Sequence, residues 1–225
     1  MRASADMLSR LYFEAKPVDS VLSLLDMFVQ DKKVLDIGCA NYAGEYAFGL
    51  NHGQIVERCT ECVGIDISPA LLKLPKRNNV RYFVANAEEF RISETFDTIF
   101  AGDVIEHLSN IGQFLEGART MMHRDTDLII VTPNPYGLRS IISLFRGFEP
   151  PIHPEHTVLV PISGIVELCT RHGLAVNQIF LVKGQKLLGT DRWLRSAYKR
   201  IYRMVIAIPG MAKFVDTLAF QIRKV

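Results

Sequence analysis

Val34-Leu35-Asp36-Ile37-Gly38-Cys39-Ala40-Asn41-Tyr42-Ala43-Gly44 begins as an apolar run, closes on a carboxylate and opens into small residues. That order predicts a buried strand, a tight turn and the start of a helix at about Gly44. In open α/β sheets the first such turn lies beyond the carboxyl end of its strand. Ligands bind there, against bare backbone and a helix N-terminus.

The flanking sequence repeats the pattern. Short β-branched runs at 62–66, 80–84, 96–100 and 128–132 read as strands. Helical stretches separate them: one opens at Ser68-Pro69, with Ser68 as N-cap and Pro69 in the first turn, and another runs from about 110 to 122. Upstream, Met7, Leu8, Leu11 and Tyr12 recur at helical spacing, as do Val18, Val21, Leu22, Leu25 and Phe28 after Pro17, predicting two helices in residues 1–30. Downstream, a helix at 163–172 stops at Gly173, and a strand follows at 174–182. Strand–helix alternation over a hundred residues means a doubly wound α/β domain, its mostly parallel sheet covered on both faces.

Composition agrees and excludes other classes. The 225 residues are 48% hydrophobic and 22% charged, with a net charge of +2, which excludes a disordered chain and a uniformly basic coat protein. The four cysteines are too few for a disulfide framework. Cys59-x-x-Cys62 lacks the further ligands zinc requires, and Cys62 falls in a strand, so the pair reads as structural. Met1-Arg2-Ala3-Ser4-Ala5-Asp6 has no apolar stretch of a secretory signal. The longest apolar run near the C-terminus is nine residues, 204–212, so a cytoplasmic setting is expected.

Two cofactor classes compete for the first turn. A dinucleotide site uses G-x-G-x-x-G with an acid about 20 residues on. Counted from Gly38, the later glycine positions hold Ala40 and Ala43, and Asp66 is 28 residues away, which disfavours NAD. A cofactor with a ribose and no pyrophosphate suits an acid-first turn better.

The run from Val34 to Cys39 resembles the glycine-rich motif of class I S-adenosylmethionine-dependent methyltransferases, and further motifs follow in order. Val63-Gly64-Ile65-Asp66-Ile67-Ser68 resembles that family's second motif, whose strand-end acid holds the ribose hydroxyls. Asn86-Ala87-Glu88 falls where the family places residues around the adenine edge. Phe96-Asp97-Thr98-Ile99-Phe100-Ala101-Gly102-Asp103-Val104-Ile105-Glu106-His107-Leu108 is similar to the fourth-strand motif of the subgroup with ubiquinone-biosynthesis O-methyltransferases. Thr132-Pro133-Asn134-Pro135 matches the end of its fifth strand. The resemblance covers about residues 30–182 and implies a seven-stranded Rossmann-like sheet with an antiparallel last strand. It also implies S-adenosylmethionine as cofactor, held by Asp36, Gly38, Ala40, Asp66, Ile67, Asn86, Ala87, Glu88 and Asp103. Ala40 and Tyr42 stand where the family has glycines, and Asn86 where Asp is commoner.

Methyl transfer to an oxygen needs the acceptor held in line with the methyl, and a base helps. His107 after the fourth strand, and His153 and His156 after the fifth, are the candidates. Asp103, Glu106 and His107 carry metal-compatible groups, and in some ubiquinone-type relatives that cluster is associated with a divalent metal. The residues here read instead as Asp103 lining the cofactor site and Glu106 capping the next helix, with no metal. The expected acceptor is a small molecule, a glycan or a lipid-linked compound. The alternative is a non-catalytic cofactor-binding or membrane-associated partner subunit.

The net charge conceals a split. Residues 183–225 hold ten Lys+Arg and two acids, a net of +8, leaving −6 on residues 1–182. Trp193, Leu194, Ala197, Tyr198, Ile201, Tyr202, Val205 and Ile206 line one helix face among basic residues, and Pro209-Gly210 ends the helix. Residues 218–223 alternate as a last strand, and Met211, Phe214, Val215, Leu218 and Ile222 also allow a helix there. The single domain therefore divides into N-terminal helices (1–30), a cofactor-binding core (31–183), a basic helical insertion (184–216) and the last strand (217–225). The helix face fits packing over the sheet or against a homodimer partner, or an anionic membrane surface through residues 190–208 at the inner face of the membrane; nucleic acid is disfavoured.

Overall fold

The computed structural model describes residues 5–40, 51–74, 77–150, 155–183, 192–208 and 210–225. The expected helix start at Gly44, the loop residues Asn41, Tyr42 and Ala43, and His153 lie outside the described residues.

Among the described residues eight strands form one sheet: β1 (Lys16–Val18), β2 (Lys33–Ile37), β3 (Glu61–Asp66), β4 (Val80–Val84), β5 (Phe96–Gly102), β6 (Met122–Pro133), β7 (Leu174–Val182) and β8 (Thr217–Lys224). Their spatial order is β1-β7-β8-β6-β5-β2-β3-β4. All pairings are parallel except those of β8, which runs antiparallel between β6 and β7. The helices are α1 (Ala5–Phe13), α2 (Val21–Phe28), α3 (His52–Arg58), α4 (Ile111–Thr120), α5 (Leu138–Phe145), α6 (Ile162–Arg171) and α7 (Arg192–Ala207).

The sheet has one strand more than the seven expected. Lys16, Pro17 and Val18 extend beside Phe180, Leu181 and Val182 rather than continuing a helix. Pro17 is tolerated because β1 is an edge strand, where a missing N–H breaks no inner ladder. The turn after Ser68 also differs from expectation. It is a 3₁₀ turn, Pro69–Lys73, whose N-cap Ser68 Oγ accepts from the Ala70 N–H at 3.3 Å.

Strand alternation sorts the core into two layers. Leu35, Ile37, Val63, Ile65, Ile99, Ala101, Leu128 and Ile130 pack on one face with α4 and α6. Val34, Phe100, Ile129, Val131 and Val182 pack on the other with Leu24, Leu25 and Ile55 of α2 and α3. Period-two geometry therefore sends Asp36, like Val34, toward the α2–α3 layer.

Helix α7 departs from the single apolar face read in its sequence. Tyr202 is buried and Tyr198 half-buried, whereas Ile201 is exposed. The side chains of Trp193, Leu194 and Ala197 lie outside the described residues.

Candidate functional site

Strand β2 has β5 on one side and β3 on the other, so successive strands depart in opposite directions and their carboxyl ends part. A cavity of about 730 Å³ opens there. At its β2–β3–β4 end it is lined by Gly38, Ala40, Asp66, Ile67, Asn86, Ala87 and Glu88. At its β5–β6 end it is lined by Asp103, Glu106, His107, Asn134, Arg139 and His156.

Asp66 closes β3, and each carboxylate oxygen accepts one backbone N–H: Ala40 at 3.0 Å and Ser68 at 2.8 Å. The carboxylate is thereby fixed at the cavity wall with lone pairs left for a ligand. Gly38 has φ +77°, and a Cβ there would stand 2.6 Å from Val104 Cγ2. Only glycine satisfies both conditions. Gly38→Ala is expected to lower stability by about 1–2 kcal/mol and to displace the turn, so a thermal melt and a cofactor titration should both move.

Asn86 organises its own loop. Its Oδ1 accepts from the Glu88 N–H at 3.0 Å, and Glu88 Oε1 accepts from the Asn110 N–H at 2.7 Å, tying the loop to the start of α4. Asp103 holds φ +56°, an uncommon conformation for a residue other than glycine, and its N–H donates to Val131 O at 2.9 Å.

Asp36, expected among the cofactor residues, does not line the cavity. It is buried and paired with His52 Nδ1 at 2.7 Å, and His52 Nε2 lies 2.9 Å from the Tyr82 hydroxyl. Burial pushes the Asp36 carboxyl above the ordinary carboxylate range, while His52 pulls it back. Asp36 thus braces the turn from beneath. Cys59 and Cys62 are buried free thiols that share a hydrogen bond, and burial pushes the Cys169 thiol up to about 12.

Glu106 does not cap the next helix, as its position in sequence led us to expect. Asn110 does so, its Oδ1 accepting from the Gln113 N–H at 3.0 Å. Glu106 is buried in the 3₁₀ turn that follows β5, Ile105–His107, where its Oε2 accepts from the Thr132 hydroxyl at 3.1 Å. Beside it the His107 and His156 rings meet edge to face, centroids 4.7 Å apart. His107 Nδ1 lies 3.2 Å from Glu155 O. A carbonyl only accepts, so Nδ1 is the donor of this contact. Glu106, His107 and His156 each present a ligand atom within 4.8 Å of the others; Asp103 is outside that group. Two imidazoles and a carboxylate suit a borderline divalent cation better than Ca²⁺ or Mg²⁺.

Neither Arg139 nor Asp216 stood out in the sequence, and Asn134 did so only as part of the run Thr132-Pro133-Asn134-Pro135. Asn134 Nδ2 donates to Val215 O at 2.7 Å, joining the end of β6 to the start of β8. No local pattern signals such a contact between residues so far apart in the chain.

A cavity of this size takes a nucleoside-sized ligand. A fixed carboxylate at the second strand end and bare backbone at the first suit its ribose, and the apolar Ile37, Ile65 and Ala85 suit its base. The residues present therefore fit S-adenosylmethionine. A family model described as a methyltransferase domain matches residues 29–152, more than half of the chain. A ubiquinone biosynthesis O-methyltransferase from Azorhizobium caulinodans is 28% identical over 109 residues, covering 45% of this chain and 40% of the relative. The chain thus spans less than half the length of that relative. An S-adenosylmethionine-dependent methyltransferase from Mesorhizobium loti superposes with TM-score 0.57 at 14% identity, over 91% of this chain and 96% of that one. The N-methyltransferase NodS from Bradyrhizobium japonicum, in complex with S-adenosyl-L-homocysteine, gives 0.53 at 15% identity, over 97% of each chain. The chain belongs to the methyltransferase domain family, on the fold of the S-adenosylmethionine-dependent enzymes and with S-adenosylmethionine as its cofactor.

Proposed function

We propose that the protein methylates a hydroxyl oxygen of a small or lipid-linked acceptor. S-adenosylmethionine supplies an electrophilic methyl group on a sulfonium leaving group. The chain's own part is to bind, orient and deprotonate. Asp66 holds the ribose hydroxyls, Gly38 lets the cofactor lie on backbone, and the Asn86–Glu88 loop borders adenine. The acceptor occupies the β5–β6 end. There His107 Nε2 takes the hydroxyl proton as the oxygen bonds to the methyl carbon and the carbon–sulfur bond breaks. His156 packs edge-on against His107 and limits its rotation. The convergence of His107 and His156 on one wall of the cavity supports this reading above all. The O-methyltransferase name of the Azorhizobium relative supports the choice of oxygen.

His107→Ala is expected to lower kcat on a catechol or phenol panel by about a hundredfold at saturating cofactor, with cofactor affinity unchanged. His156→Ala should cost about tenfold. Unchanged turnover in both variants would remove the base, and turnover confined to amines would replace oxygen by nitrogen.

The compact Glu106–His107–His156 group favours a second reading, in which these residues hold a divalent cation that lowers the pKa of the acceptor hydroxyl. Chelation followed by gel filtration separates the two readings. The base reading keeps its full rate; the metal reading loses it and regains it on adding back the metal.

A further inference from the structure

The +8 excess of residues 183–225 is concentrated on α7, which presents three different stripes. Tyr198 and Tyr202 turn inward: Tyr202 is buried, and the Tyr198 hydroxyl donates to Asp216 Oδ2 at 2.7 Å. Lys199, Arg200 and Arg203 form an exposed cationic stripe. Ile201 and Met204, with Ile208 just past the end of the helix, form a third group that is apolar and open to solvent, Met204 being 66% exposed.

Helix α5 shares the same anchor. Its Arg139 N–H donates to Asp216 Oδ1 at 3.0 Å, and Gly137 approaches so closely that a Cβ would stand 2.7 Å from that oxygen. Its first turn lines the cavity through Arg139 and Ser140. No residue of α5 is buried, and its far end carries Leu144, Phe145 and then Phe148, with Phe145 89% exposed beside Arg146. Two exposed apolar groups thus flank one carboxylate at the cavity rim, each with cations alongside.

We propose that α5 and α7 form a docking surface for an anionic lipid bilayer at the mouth of the acceptor cavity. Apolar side chains set among cations are the composition of an interfacial element: the cations meet lipid phosphates and the apolar groups enter the acyl boundary. No described helix is long and apolar enough to cross a membrane, so the contact is peripheral. A second copy of the chain is a poorer occupant, because an isologous dimer would bring one cationic stripe against another. Nucleic acid would use the cations and leave Leu144, Ile201, Met204 and Ile208 without a partner.

The test is sedimentation of the full chain with vesicles of equal phosphatidylglycerol and phosphatidylcholine, and with phosphatidylcholine alone. No cofactor or acceptor is present, so failure here is separate from failure of the methyl-transfer reading. Binding is expected only to the anionic vesicles, and it should fall steeply as salt rises to about 0.5 M. Lys199→Gln, Arg200→Gln and Arg203→Gln together should weaken it by about tenfold or more, as should Phe145→Ser with Phe148→Ser. Both variants should keep the wild-type melting curve and turnover on a water-soluble acceptor. No binding at low salt would overturn the proposal. So would equal binding by wild type and both variants, a dimer in analytical ultracentrifugation that the phenylalanine changes abolish, or preferential binding to duplex DNA.

Discussion

Asp66→Ala is expected to weaken S-adenosylmethionine binding by about a hundredfold or more in calorimetry. A charge-assisted hydrogen bond contributes about 1.5–3 kcal/mol, and this carboxylate is placed to accept two from one ribose. The same substitution removes the acceptor of the Ala40 and Ser68 N–H groups, so the turn that should face the cofactor loses its brace as well. Asp66→Asn should fall between wild type and Asp66→Ala. Its amide keeps one oxygen, but its NH₂ must oppose a backbone N–H. S-adenosylhomocysteine should lose affinity in parallel, since the lost contacts are to the ribose and not to the methyl. Unchanged affinity for both ligands would show that the ribose lies elsewhere.

His52→Leu should destabilise the fold by about 3–5 kcal/mol in urea denaturation, because it strands the buried Asp36 carboxylate. The pH dependence gives the sign. Burial holds the Asp36 pKa above its ordinary value in the folded protein, and losing His52 raises it further. Between the unfolded and folded pKa values the folded state binds the extra proton, so stability falls as pH rises through that window. The deficit of His52→Leu relative to wild type should therefore shrink on acidification from about pH 7.5 to 5. Asp36→Leu combined with His52→Leu should recover much of the loss, since apolar groups of similar size replace a buried pair at little cost. A deficit independent of pH, or a double variant no better than the single, would mean that His52 acts through packing alone.

The inner strands β2, β3 and β5 are legible in the sequence because they are largely buried on both faces and read as mostly apolar runs. β4 and β7 fall on the residues expected, 80–84 and 174–182. The elements that escaped reading have physical reasons to. β1 is three residues long and built around a proline, too short for any period to register. The first half of β6 holds His123, Arg124, Asp125 and Asp127, charges that hide an extended backbone. α5 is the exception, since Leu138, Ile141, Ile142 and Phe145 recur at helical spacing even though the helix buries nothing. The site divides in the same way. Asp66, Asn86 and His107 sit in ordered local motifs, and the structure brings them to one cavity. Asp36 lies on the opposite face of the β2 pleat from Leu35 and Ile37 and leaves that group. His156 joins His107 through contacts between residues about fifty positions apart, such as Thr157 N–H to Glu106 O at 2.8 Å.

The position of β8 bears on how the protein comes into being on the ribosome. It is the last of the eight strands to be synthesised, yet it lies between β6 and β7. Until it emerges, β1 and β7 can pair only with each other, and the edge of β6 stays open. The nascent chain thus carries two unjoined pieces of sheet, each offering a bare edge to neighbouring polypeptides. One late strand closes both edges at once. A chain shortened before residue 216 would lose the hydrogen bonds that join the two pieces, and with them Asp216, on which α5 and α7 are hung.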